Sequence, residues 1–227
     1  ALGGLCSIAG LAGTEVMAKL WLPPRSGASM SLDGNRLRPL LTVSVLLVVT
    51  AYAFDALGFV PHTVFWVDYL AREAGLGSHS AALQWSIFGL GAIAGPFAAG
   101  WLVKRLGWHS SLAVAYLLKA AAISLPLFST GLVSRSLSSF IVGAMVPAVV
   151  ALTAGRLAEL VGPAEHKRIW GLATASFAAA QALSGYAMSA LYATTGSYQP
   201  LFLAGTVLLV CGFVLLCLDP RRGPLIR

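Results

Sequence analysis

The sequence predicts an all-α polytopic membrane bundle of six transmembrane helices, preceded by the tail of another helix. Three observations carry that expectation. Apolar runs recur along the chain, each near the ~20 residues a helix needs to cross ~30 Å of hydrocarbon. Only 10% of the 227 residues are charged while 58% are hydrophobic, where a soluble domain carries about 25% charged residues. The basic residues fall almost wholly on one side of the implied bundle. An alternating ten-residue strand pattern is missing, so an outer-membrane barrel does not fit.

The elements follow in order. Residues 1–22 are apolar but broken by Glu15 and Lys19, and read as the tail of a helix whose beginning is absent, not as a signal peptide. Residues 23–39 form a linker punctuated by Pro23-Pro24 and Gly34-Asn35, so 1–39 precede the bundle. The spans are expected at about 40–66, 81–103, 109–128, 131–155, 168–192 and 201–218. The bundle domain then covers 40–220, and 221–227 is a tail. Pro147 predicts a kink in the fourth span.

Sidedness follows from the charges. Of fifteen Lys and Arg, Lys19 together with the linker, the 104–108 turn, the 156–168 loop and the C-terminus makes twelve. The opposite side holds Arg72 and Arg135, and Lys119 lies inside a span. The positive-inside rule makes the rich side cytoplasmic; the expected location is a plasma membrane, of the bacterial inner type. Trp21, Trp66, Trp85, Trp101, Trp108 and Trp170 fall near span ends, as interfacial belts require. The net charge of +7 is absorbed by this asymmetry, so nucleic acid is not an expected partner; the lipid bilayer is. Cys6, Cys211 and Cys217 form no C-x-x-C pair and suggest neither disulfide nor zinc.

Polar groups at membrane depth are the functional candidates. Asp55 sits inside the first apolar run, where a carboxylate costs roughly 2.5–3.5 kcal/mol on insertion scales. Tyr52, Asp55, Phe59, His62 and Trp66 recur at helical spacing and share a face. This stripe lines a substrate or ion pathway, or Asp55 is buried for helix–helix pairing. Lys119, midway along the third span, is a candidate partner. Paired, Asp55 would stay ionised; unpaired in an apolar cavity, it would hold a proton and could carry it. Gln84 and Gln181 lie among small residues, a pattern of close helix packing or of cavity lining. Motifs for zinc proteases, nucleophile elbows and phosphate loops are missing, which argues against an enzyme, and no cofactor or metal is implied.

The turn Gly100-Trp-Leu-Val-Lys104-Arg105-Leu-Gly107-Trp108-His109 resembles the loop signature of the major facilitator superfamily, G-x-x-x-D-R-x-G-R-[RK]. Gly100, Arg105 and Gly107 match; Lys104 stands at the acidic position, and Trp108 and His109 replace the basic pair. These departures resemble the degenerate copy in the second half of such transporters. The run from Asp55 to Tyr69 also resembles the YbfB/YjiJ branch. The resemblance implies the C-terminal half of a secondary transporter, built as a 3+3 inverted repeat. It further implies a small-molecule substrate, an N-terminal half as partner, and a gating role for Gly100, Lys104, Arg105 and Gly107. It places the third span at the periphery, which counts against Lys119 as a substrate contact. The competing expectation is a non-transporting helical scaffold or the remnant of a truncated transporter gene.

Overall fold

The computed structural model describes residues 40–220; the expected helix tail and linker at 1–39 and the tail at 221–227 lie outside them. The described chain is helical almost throughout, with no strand. Helix α1 is Val43–Gly58, started by Thr42, whose hydroxyl accepts from the Val45 N–H at 3.4 Å. The helical path continues through a π-helical turn Pro61–Phe65, a short α turn Trp66–Asp68 and a second π turn Tyr69–Glu73. Helix α2 is Gly77–Phe128, α3 is Leu132–Val161, α4 is Pro163–Thr195 and α5 is Gln199–Cys217.

Among the described residues, four stretches are long and apolar enough to cross a membrane: Val43–Glu73, Gly77–Phe128, Leu132–Val161 and Gln199–Cys217. The described chain is thus a bundle of membrane-spanning length and character. The predicted spans differ from it in three ways. The second and third fall within the single 52-residue α2, broken only at Gly107, where φ 76° and ψ 171° leave the helix. Glycine reaches that backbone region without steric cost. The polar stretches 69–73 and 163–168 are helical rather than loop. Polarity ends a membrane span, but it does not stop a helix whose backbone bonds are internal. The fifth predicted span lies within the 33-residue α4, whose Ala, Ser and Gly content leaves it less apolar than the four. Pro147 sits inside an α3 that continues on both sides of it.

Packing relies on close backbone approach, since lipid offers little hydrophobic drive between helices. At the α2–α3 crossing, a Cβ on Gly91 would lie 2.2 Å from the Phe140 carbonyl oxygen, and one on Gly143 2.1 Å from that of Phe88. Gly58 of α1 and Gly205 of α5 meet in the same way. Prolines inside helices free carbonyls that lack a donor four residues on. Serines from neighbouring helices supply it. Ser184 of α4 donates to the Leu57 carbonyl at 2.7 Å, left open by Pro61, and Ser138 of α3 donates to that of Ala122 at 2.7 Å, left open by Pro126. Ser184→Ala is expected to cost about 0.6–2 kcal/mol, read by detergent unfolding, with Ser184→Thr near the parent. An alanine variant as stable as the parent would show that this carbonyl needs no donor.

Candidate functional site

The site begins with two residues on facing helices. Asp55 lies on α1 and Lys119 on the arm of α2 beyond Gly107. Lys119 Nζ donates to Asp55 Oδ1 at 2.6 Å, and both side chains are shielded, at 1% and 2% exposure. The ammonium also lies 4.7 Å from the centroid of the Phe59 ring. Helical spacing explains the grouping. Tyr52 and Asp55 share a face of α1 with Phe59 just past its end, and Tyr116 and Lys119 share a face of α2. Tyr116 is fully buried against Gly212 of α5. Its hydroxyl has no hydrogen-bond partner among the described residues.

An aromatic row leads away from this pair. Phe59 lies 5.7 Å from Phe177 of α4, Phe177 4.5 Å from Tyr52, and Tyr52 5.8 Å from Trp170. Tyr52 therefore faces α4, while Asp55 faces α2.

His62 and Trp66 belong to a second polar group, against α3. The π turn at Pro61–Phe65 departs from the 3.6-residue period, so spacing in sequence does not carry the stripe past Pro61. His62 Nε2 lies 2.7 Å from Ser138 Oγ. Because Ser138 gives its only proton to the Ala122 carbonyl, Nε2 must be the donor and Nδ1 the bare nitrogen. The His62 ring stacks on Trp66 at 4.3 Å. The Trp66 indole donates to Ser139 at 2.9 Å, Ser139 to the Gln84 carbonyl at 3.2 Å, and the Gln84 amide to Ser136 at 3.2 Å. Gln84 is thus buried in helix-to-helix bonding, whereas Gln181 is exposed on α4, apart from both groups. Ser136, Ser138, Ser139 and Ser184 escaped the sequence reading. A serine opposite a proline-freed carbonyl is the signal that could have found two of them, once helix adjacency was known.

Two clusters close the ends of the bundle. At one end Asp68 pairs with Arg72 at 2.7 Å and accepts from the Tyr198 hydroxyl. Burial, and then this bond, hold the Tyr198 phenol above its ordinary pKa. Glu73 accepts from Ser197 Oγ at 2.9 Å and from the Tyr198 N–H at 2.7 Å, at the start of α5. At the other end Arg156 binds Asp219 at 2.8 Å and Glu159 at 2.6 Å, and His109 Nδ1 lies 3.6 Å from Asp219. The loop signature sits at this second end. Gly107 forms the break, Lys104 and Arg105 are exposed, and Arg105 lies 5.5 Å over the Trp101 ring. Gly100 is helical with open space around it. Trp108 fills the gap left by Gly155, where a Cβ would come within 2.0 Å of the indole.

Long apolar helices closing around buried ion pairs and hydrogen-bonded polar groups define a multi-pass integral membrane protein. A family model described as "Uncharacterised MFS-type transporter YbfB" matches residues 5–216. The chain belongs to that family of membrane transporters, within the major facilitator superfamily. No curated protein matches the chain.

Proposed function

We propose that the chain is the C-terminal, six-span half of a secondary transporter that moves a small molecule by alternating access, coupled to protons. The break at Gly107 and the length of α4 support six spans arranged as a 3+3 repeat, and the degenerate loop signature supports the second-half assignment. An N-terminal half would supply the opposite cavity wall. In this reading the basic ends face the cytoplasm across a bacterial inner membrane, and the Gly100–Gly107 turn with Lys104 and Arg105 gates that side.

The observation that carries the reading is the Asp55–Lys119 pair, buried between α1 and α2. Protonating Asp55 cancels the charge that holds Lys119 and weakens the tie between two helices. A proton on or off one oxygen is thereby linked to helix separation, which is what coupling requires. Of the pathway candidates, Tyr52 is assigned to this neighbourhood; His62 and Gln84 belong to the separate group against α3, and Gln181 lies apart on α4.

The test is uptake of a labelled small-molecule mixture into proteoliposomes holding the full transporter under an imposed proton gradient. Asp55→Asn is expected to abolish gradient-driven uptake and leave counterflow exchange. Unchanged proton-driven uptake would remove Asp55 from the mechanism. The near-complete burial of both partners favours a second reading, a purely structural pin in a non-transporting scaffold. The Asp55→Lys/Lys119→Asp exchange separates the two. A pin in a scaffold recovers its fold on the swap and shows no proton-driven uptake in either form, whereas a coupling site recovers fold but loses the uptake that the parent shows.

A further inference from the structure

The arm of α2 before the break at Gly107 turns a stripe of large apolar side chains outward. Leu90, Ile93, Phe97 and Trp101 recur at three- and four-residue steps, so they share one face, and they are 61, 68, 77 and 59% exposed. From Leu90 to Trp101 the helix rises about 16 Å, close to half of the ~30 Å hydrocarbon core, the depth of one leaflet. The next turn of that face carries Lys104 and Arg105, both exposed. Arg105 does not trail into solvent: its guanidinium lies 5.5 Å over the Trp101 ring. Charge is unbalanced at this point. Elsewhere at the same end Arg156 pairs with Asp219 and Glu159, and Arg168 with Glu165. Lys104 and Arg105 pair with no carboxylate among the described residues.

We propose that Lys104 and Arg105 hold the headgroup phosphate of one anionic phospholipid of the adjoining leaflet, with an acyl chain laid along Trp101, Phe97, Ile93 and Leu90. Each part selects something. The planar guanidinium fork matches two phosphate oxygens at once. Its stacking on Trp101 holds it at headgroup level, because tryptophan marks the boundary between apolar and polar depth. The Lys104 ammonium adds a second positive charge beside it. Two cations with no acid between them favour a headgroup of net negative charge. A zwitterionic headgroup brings an ammonium of its own into the same patch and is repelled by it. The stripe selects a lipid over a soluble phosphate, since only the lipid carries a chain that covers it. This lipid site does not rest on the transport reading.

The experiment places the full chain in nanodiscs of equal phosphatidylglycerol and phosphatidylcholine and counts the retained lipids by native mass spectrometry. One phosphatidylglycerol, kept in preference to phosphatidylcholine, is expected. A basic residue at a membrane surface favours anionic lipid about fivefold, so Lys104→Gln and Arg105→Gln should each lower the preference by about that factor, and the double variant by about thirtyfold. Both side chains are exposed, so the variants keep the parent's fold, which circular dichroism checks. Lys167→Gln removes another exposed charge at the same end and should leave the preference near the parent's. An equal fall from Lys167→Gln means diffuse attraction to a basic end and overturns the site, as does an unchanged preference in the double variant. The chain's path is read with acyl-brominated lipid. Brominated phosphatidylglycerol at trace level in phosphatidylcholine should quench tryptophan fluorescence beyond what brominated phosphatidylcholine does. Trp101→Phe and the double variant should each remove that excess, and an excess that survives Trp101→Phe overturns the path along the stripe. Millimolar glycerol phosphate should not displace the lipid; displacement makes this a soluble-anion site and overturns the proposal.

Discussion

Lys119→Met is expected to destabilise the protein by about 3–5 kcal/mol, because it leaves a buried carboxylate with no counter-charge. Methionine matches the length of the lysine stem and fills the space, so the loss reports charge rather than a cavity. Asp55 is 2% exposed, and no other cation contacts it among the described residues. The neutral pair Asp55→Asn/Lys119→Met should recover most of the loss, since exchanging a whole buried pair for neutral groups is often close to neutral. Unfolding of the solubilised protein in a denaturing-detergent titration, followed by circular dichroism, measures both. A single variant as stable as the parent would mean that Asp55 finds another partner or a proton at no cost. The pair would then not fix α1 against α2.

The second large effect comes from glycines two residues apart. Gly91→Ala is expected to cost about 3 kcal/mol, as its methyl would stand 2.2 Å from the Phe140 carbonyl oxygen and 2.9 Å from the Ala144 nitrogen. These are backbone atoms, so α2 and α3 must separate along the whole crossing. Gly89→Ala places the same methyl in open space and should stabilise by about 0.4–1 kcal/mol through helix propensity and a less free unfolded chain. The same substitution thus changes sign over two positions. Equal effects from the two, by the same titration, would refute close α2–α3 approach at Gly91.

Much of the architecture was legible because bilayer physics writes it in runs of residues. The apolar stretches located the four helices of membrane length, and the connection read at Lys104–Gly107 is where α2 leaves the helix; Pro147, read as a kink, lies in a helix that continues on both sides. Asp55 and Lys119 were each visible as an expense at membrane depth, and their pairing was one of two open alternatives. What the sequence did not show was adjacency. Ser138 and Ser184 are ordinary small residues until the helix opposite is known to present a proline-freed carbonyl. Gln84 and Gln181 looked alike on paper, yet one is bonded in the α2–α3 core and the other is exposed on α4. Helix ends were misjudged where charge was read as loop, at Glu73 and again at Glu165 to Arg168. The stripe through His62 and Trp66 drifted because a π turn does not keep the 3.6-residue count.

The bond from Ser184 to the Leu57 carbonyl spans 127 residues of chain. Its consequence concerns birth rather than function. As the ribosome delivers α1, Pro61 has already removed the donor for Leu57, and the replacement has yet to be synthesised. Until α4 arrives, that helix sits in the translocon or bilayer with an unmet polar group. The ties from Glu73 and Asp68 to residues 197 and 198 also wait. The first described helix to emerge is therefore the last to be completed, and its early life is a period of dependence on whatever shields it.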